Sequence, residues 1–365
     1  MLVNGRLWPD CDLGGECMPV LDVERLKGAC TQVFEGAGLG AEEARQIAHS
    51  LVLSNLMGHD SHGVIRLVQY VQALEEGRVH AGQEIAVVRE ADASAVVDGG
   101  WGFGQTVCHQ AMALAMEKAK QRSVAVVELF NSGHIGRLGE YVEVAAEAEM
   151  IGIVMCNNHG GGLLQHPFGG IDARMSPNPI AVGIPTGGDF PIVVDLTTSV
   201  VAEGKIRVKR NLGESLPEGW VIDAEGDPTT DPAKFYGPPR GVILPFGGIS
   251  AHKGYALSVV VDVLSGALGG GGCSREGGLS GGNGVFIMAL DIGAFVGRDQ
   301  FRDEMQSFVQ FLKSARLAPG FDEILMPGEM EARMRREKEA RGVDIDDETW
   351  RQICETGQAV GITLA

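Results

Sequence analysis

The chain is short of aromatic side chains, at 6%, and short of positive charge: 30 Lys and Arg stand against 48 Asp and Glu, a net charge of −18. Such a deficit excludes the basic face that nucleic acid requires. It also repels anionic small molecules at long range, so an anion site must be built locally. The seven cysteines, at positions 11, 17, 30, 108, 156, 273 and 354, include no C-x-x-C pair. That disfavours zinc ribbons and disulfide frameworks and leads us to expect a cytoplasmic protein with reduced thiols. Long hydrophobic runs are missing too. The longest, Tyr255 to Leu268, contains Asp262 and is too short to span a bilayer, and Met1 to Asp12 lacks the apolar core of a secretory signal. Neither membrane nor nucleic acid is expected as a partner.

Glycine is abundant. The chain has 53, about twice ordinary usage, which predicts many tight turns and close backbone approaches. With 365 residues and an apolar fraction of 44%, one or two domains can each bury a core. Residues 20–80 read as helical. Leu21 to Glu35 carries apolar residues at helical spacing, Gly36 to Gly40 breaks the pattern, and Ala41-Glu42-Glu43 starts a second helix. Gly36 to Ala41 spells G-x-G-x-x-A, but a helix precedes it where a dinucleotide fingerprint needs a strand.

From residue 85 strands and helices mix. Ile85 to Glu90, Ala95 to Asp98, Val124 to Leu129, Ile151 to Cys156, Ile192 to Leu196 and Val285 to Asp291 read as strands. Thr106 to Arg122, Leu138 to Glu149, Gly254 to Leu268 and Phe301 to Leu312 read as helices. The fold class is α/β. Residues 205–250 read as long surface loops, residues 269–284 as a mobile glycine tract, and 329–341 as a solvated helix face. There is no internal repeat.

Four segments can carry chemistry. In Gly58-His59-Asp60-Ser61-His62-Gly63-Val64-Ile65-Arg66, His62 and Arg66 are four apart and would share a helix face. Arg66 offers a planar fork for a carboxylate, and His62 a proton carrier with Ser61 beside it. The bland reading is a capped loop with a surface arginine. His59-x-x-His62 is a metal pair only by spacing, with no third ligand, so no metal is expected. In Asn131 to Gly139, His134 sits in a glycine-punctuated turn between a strand and a helix, where a side chain faces a cleft; satisfying turn carbonyls is the alternative. Pro167-Phe168-Gly169-Gly170, Ser176-Pro177-Asn178-Pro179 and Asp195-Leu196-Thr197-Thr198-Ser199 read alone as turns and a cap. In His252-Lys253-Gly254-Tyr255 a lysine at a helix start opposes the dipole, which makes sense if it binds a phosphate or a substrate oxygen. Gly278-Leu279-Ser280-Gly281-Gly282 spells G-x-S-x-G without the strand a nucleophile elbow needs.

Taken in order, these segments, with Pro217-Glu218-Gly219-Trp220 and Pro228-Thr229-Thr230-Asp231-Pro232, resemble the type-2 malate/L-lactate dehydrogenase family of NAD(P)-dependent 2-hydroxyacid oxidoreductases, over about residues 20–360. The His-Ile-Gly-Arg turn is nearest its broad-specificity hydroxycarboxylate dehydrogenase branch. The resemblance implies a non-Rossmann cofactor-binding α/β domain, residues 81–249 and 284–320. It adds a helical domain built from both chain ends, residues 1–80, 250–283 and 321–365. It implies homodimers, NAD or NADP as cofactor, and a small 2-oxo or 2-hydroxy acid as substrate.

By position, His134 matches the proton donor and acceptor. His62, Ser61 and Arg66 line the same site, with Arg66 clamping the substrate carboxylate. Asn158, Asp195, Leu196, Thr197, His252, Lys253 and Gly254 match cofactor-contacting positions, and Pro167, Phe168, Gly169, Gly170 and Asn178 walls of that pocket. Two departures, Gly248 to Ala251 before His252 and the glycine-rich tract 269–284, bear on specificity. A cyclic imino acid reductase on the same fold and a non-catalytic NAD(P)-binding sensor are the competing functions.

Overall fold

The structure is a computed structural model and describes residues 20–279 and 281–364. Cys11, Cys17 and Ser280 lie outside the described residues.

After the short strand β1 (Val20–Leu21), helix α1 (Val23–Gly36) begins where the Asp22 carboxylate accepts from Arg25 N–H at 2.9 Å. Helix α2 (Ala41–Leu56) packs antiparallel to it, so the predicted helical hairpin stands. The next segment departs from the prediction. Residues 60–62 and 64–66 form two 3-10 turns, and only Leu67–Glu75 (α3) is an α-helix. His62 and Arg66 therefore do not share one helix face. The break is packing: a Cβ on Gly63 would stand 2.2 Å from Asn55 Oδ1, and that oxygen accepts the Val64 N–H at 2.8 Å.

Strands β2 (Ala86–Ala91) and β3 (Ser94–Gly102), helix α4 (Gly104–Arg122), β4 (Val124–Gly133), helix α5 (Gly139–Glu147), β5 (Met150–Asn157), β6 (Ile180–Ile184) and β7 (Ile192–Leu196) build the central layer. Strand β6, absent from the sequence reading, follows the Pro-rich turn at 176–179. Residues 205–250 are more than surface loop. They hold helix α6 (Glu203–Asn211), short strands β8 (Val221–Ile222) and β9 (Pro228–Thr229), helix α7 (Pro232–Tyr236) and β10 (Val242–Ile243). Ile206, Val221, Phe235 and Ile243 form a small core of their own there.

Helix α8 (Ala251–Asp262) runs into a π-helical turn, Val263–Leu268. Residues 250–283, grouped by the resemblance with the helical domain, pack on the sheet: α8 on β5, the π turn on β4, β5 and β11 (Gly282–Asp291). The glycine tract is tied down as well, with Gly272 N–H bonded to Gly266 O and Arg275 N–H to Gly160 O. Helix α9 (Arg298–Lys313) has no buried residue, and helix α10 (Glu329–Arg341) buries only Glu329. Strand β12 (Val343–Asp344) pairs with β1, and helix α11 (Asp347–Ala359) packs on α1 and α3. The two chain ends thus share one helical core, centred on Leu26, Val33, Phe34, Ile47, Leu51, Leu67 and Ile353.

The seven-stranded sheet runs β2-β3-β4-β11-β5-β6-β7. Only β3 and β4 are parallel; every other pair is antiparallel. This order lacks the doubly wound parallel arrangement of a Rossmann domain. Val127 and Leu129 face the core under α4, with Met112, Val142 and Ile287. Alternation along β4 sends Glu128 to the opposite face, under the π turn, where both carboxylate oxygens are buried without a hydrogen-bond partner among the described residues. Burial pushes this carboxyl up to about 8. One carboxylate ties the helical core to the sheet layer: Ser50 Oγ on α2 donates to Glu140 Oε1 at 2.6 Å, and His109 Nε2 on α4 lies 2.8 Å from the same oxygen. Among the described residues no helix is long and apolar enough to cross a membrane.

Candidate active site

His134 follows directly on β4. Its carbonyl reaches the first residue of α4, where a Cβ on Gly104 would stand 2.4 Å from His134 O, so only glycine permits the approach. The next amide, Ile135 N–H, donates to Asn283 Oδ1 at 2.9 Å, and Asn283 Nδ2 donates to Asn157 O at 2.8 Å. Strand β11 and the end of β5 thereby fix the turn.

Helix α3 and the two 3-10 turns supply the other wall. Tyr70 Oη lies 2.8 Å from His134 Nδ1 and accepts from Gln105 Nε2 at 2.9 Å. His62 stacks against His134, and Ser61 Oγ is 3.1 Å from His62 Nδ1. Arg66 Nε donates to Ser61 O at 2.7 Å and Nη1 to Gln69 Oε1 at 2.7 Å. The structure therefore brings Ser61, His62, Arg66 and His134 together. Burial, then the Arg66 guanidinium and His62, holds the His134 imidazole well below its ordinary 6.5. Burial, Arg66, His59 and Arg137 lower His62 to about 3. Burial raises the Tyr70 phenol to about 12, so it stays protonated at neutral pH.

The cofactor-class positions gather along the far side. Thr198 N–H donates to Pro177 O and Phe246 N–H to Thr198 O, which draws three loops together. Leu196 is exposed, and Thr197 Oγ1 donates to Ser199 O at 2.9 Å. Asp195 leaves this cluster for the histidine turn: its Oδ2 accepts Gly139 N–H at 2.7 Å, beside buried Arg137, which forks onto Glu143 at 3.0 and 2.6 Å. Asn158 is half-buried at the end of β5. Pro167 and Gly170 are half-buried, Phe168 and Gly169 exposed, and the Phe168 ring meets His252 edge to face at 5.8 Å.

His252 and Lys253 are exposed on the first turn of α8, whose N-terminus has no side-chain cap. Gly254 is buried where a Cβ would stand 2.2 Å from Phe246 O. Asn178 has no exposed surface. Its Nδ2 is spent on Ser258 O and Oγ at 3.1 and 3.2 Å, so it braces this wall from inside. His59 turns away from His62 toward Glu331, at 3.9 Å.

Sequence reasoning missed Tyr70 and Gln105. Tyr70 carried a usable signal, since it lies four residues after Arg66, the residue that caps α3. It also missed α6, which closes over the 58–66 segment. A Cβ on Gly204 would stand 3.2 Å from Ser61 Cβ, and burial lowers the neighbouring Lys205 ammonium.

The malate/L-lactate dehydrogenase family model matches residues 21–354. Hydroxycarboxylate dehydrogenase B of Escherichia coli strain K12 is 35% identical over 347 residues, 93% of this chain and 94% of that protein. Malate dehydrogenase of Pyrococcus horikoshii OT3 superposes with a TM-score of 0.86 at 34% identity, covering 96% of this chain and 98% of that one. Δ1-Piperideine-2-carboxylate reductase of Pseudomonas syringae superposes with a TM-score of 0.79 at 28% identity, covering 93% and 99%. Agreement along nearly the whole chain, in sequence and in a sheet order outside the Rossmann pattern, makes this protein a member of the malate/L-lactate dehydrogenase family, an oxidoreductase acting on CH–OH donors.

Proposed function

We propose that the protein interconverts a 2-hydroxy acid and its 2-oxo acid, with His134 as the group that moves the proton. The observation carrying this reading is that His134 meets Tyr70 by hydrogen bond and His62 by ring stacking, within the field of Arg66. As a base, His134 donates Nδ1–H to the Tyr70 oxygen and presents the Nε2 lone pair to the substrate hydroxyl. In the reverse direction its imidazolium protonates the developing alkoxide. Such help is worth about 10²–10⁴-fold in rate. Arg66, braced by Ser61 O, holds the carboxylate and orients C2. Ser61 and His62 complete that wall.

NAD or NADP is the cofactor in this reading, and a bound nicotinamide supplies the hydride acceptor or donor. The residues present fit such a group: Lys253 and the uncapped α8 N-terminus suit a phosphate, while Asn158, Leu196, Thr197, the 167–170 turn and His252 offer exposed or half-exposed surface beside it. Asp195, Gly254 and Asn178 hold that surface in place. Homodimerisation belongs to the same reading, and exposed Val259, Val260, Val263 and Leu268 give it an apolar face.

A screen at 340 nm tests the reading. Protein with NADH or NADPH is given pyruvate, oxaloacetate, 2-oxoglutarate, a phenylpyruvate, sulfopyruvate and a cyclic imine. Oxidation with a 2-oxo acid, lost at least about a hundredfold in His134→Ala while cofactor binding persists, is expected. A near-normal rate in that variant removes His134 from the mechanism. Activity on the imine alone moves the protein to the second reading, cyclic imino acid reduction, which the likeness to the piperideine-carboxylate reductase favours.

A further inference from the structure

The strand that leads to His134 is irregular on both edges. Against β11, Leu129 faces Val285 and Ser132 faces Asn283, so β4 holds one residue more than its partner there. Against β3, Phe130 faces Asp98 and Ser132 faces Gly102, so on that edge the surplus lies on β3. A bulge re-aims the side chains beyond it, and His134 comes two residues after Ser132. Asn131, inside the bulge, is left-handed at φ 52° without being glycine. Such a backbone persists only where its surroundings hold it.

Two groups hold this one. Asn131 Nδ2 donates to Asp98 Oδ1 at 3.1 Å, and Asn131 N–H, left over from the β4 ladder, donates to His159 Nε2 at 3.0 Å. We propose that His159 is a positioning residue: by accepting that amide hydrogen it fixes the bulge and, through Ser132 and Gly133, the direction in which His134 meets the substrate. This inference rests on the dehydrogenase reading.

The His159 ring is itself firmly seated. It is buried, its backbone is left-handed at φ 50°, and the Trp101 ring lies against it with centroids 5.2 Å apart. Because Nε2 accepts, the ring proton is on Nδ1, which donates to Gly271 O at 3.3 Å. A Cβ on Gly271 would stand 3.0 Å from His159 Cε1, so the glycine-rich tract reaches the ring most easily as glycine. Only a neutral imidazole makes both bonds, and burial lowers His159 below its ordinary 6.5, which keeps it neutral. The alternative is a buried histidine that merely satisfies a turn carbonyl. The bond from Nδ1 to Gly271 would suffice for that. The second nitrogen is committed to the strand that delivers the proton carrier.

The test compares wild type, His159→Gln and His159→Phe on the 2-oxo acid that the 340 nm screen identifies. Glutamine sets an amide oxygen near the place of Nε2 and keeps an acceptor, whereas phenylalanine fills the space without one. His159→Phe should lower kcat about 10–100-fold, with KM for the acid and affinity for the cofactor within about twofold. His159→Gln should recover most of kcat. Nitrogen NMR of isotope-labelled histidines gives a readout apart from turnover. Wild type should show His159 with a bare Nε2 and a protonated Nδ1, and the His134 signals should move in His159→Phe but stay in His159→Gln. Should the phenylalanine variant fail to fold, His159→Asn, whose shorter amide does not reach Asn131, takes its place with the same expectation. Equal losses in the two variants, a loss confined to KM, or unmoved His134 signals without the acceptor each overturn the inference. If no 2-oxo acid is turned over, the dehydrogenase reading fails, and the His134 signals still decide whether His159 positions that ring.

Discussion

The imidazoles of His62 and His134 stack with centroids 5.6 Å apart and planes 13° from parallel. Two protons cannot sit comfortably on rings so placed, with Arg66 already beside them. The site thus binds its first imidazole proton reluctantly.

Acid lability follows from this stack. His62, at about 3, and His59, lowered to about 4 by burial and by Arg137 and Lys205, lie below the ordinary 6.5, and so does His134. As pH falls, the unfolded chain takes up these protons first. Stability is whole above about pH 6.5 and is lost progressively toward pH 3, at up to about 1.4 kcal/mol per pH unit for each histidine. A series of melting temperatures from pH 7.5 to 4.5 should fall, and His62→Gln should make the slope shallower. An unchanged slope would contradict the buried-histidine account.

Rate should respond to pH in the complementary way. Because His134 stays neutral below pH 6.5, kcat/KM for hydroxy-acid oxidation should hold level as pH is lowered through 6.5. Arg66→Gln removes one of the charges that lower His134, so in that variant the acid limb should move to higher pH. The pH profiles of both enzymes check this, and a wild-type limb centred at 6.5 would count against it.

Tyr70→Phe should lower kcat about tenfold while KM for the acid changes little, because the phenol orients His134 Nδ1 and holds no substrate group in the proposed mechanism. Steady-state kinetics separate the two parameters. A change confined to KM would place Tyr70 in substrate binding.

Glu128 gives a prediction of opposite sign. A carboxyl whose folded value lies near 8, above the ordinary 4.5, costs stability as pH rises between the two. Glu128→Gln should match wild type near pH 4.5 and melt progressively higher than it up to pH 8. Equal melting temperatures at every pH would mean that the carboxyl finds a partner in solution.

Much of this was legible in the chain. The helical hairpin, six of the seven large strands in full or in part, and the His62–Arg66 and His134 segments follow from periodicity and glycine punctuation. The sheet order was not legible, since β11 enters between β4 and β5 from 125 residues downstream of β5 and no local pattern encodes that insertion. Residues 205–250 were misread because strands of two residues carry no alternation. Gln105 escaped because its bond to Tyr70 is made across two packed layers, where sequence spacing says nothing, whereas Tyr70, four residues after Arg66, could have been found.

Glu140 joins Ser50 of the helical core to His109 of the sheet layer within a few residues of His134. The order in which the molecule comes apart should reflect this. Warming that parts the two layers would separate Arg66 and His62 from His134 while each layer keeps its own core. Catalytic competence would then vanish at a lower temperature than helical circular dichroism, and cooling would restore it without refolding of either layer.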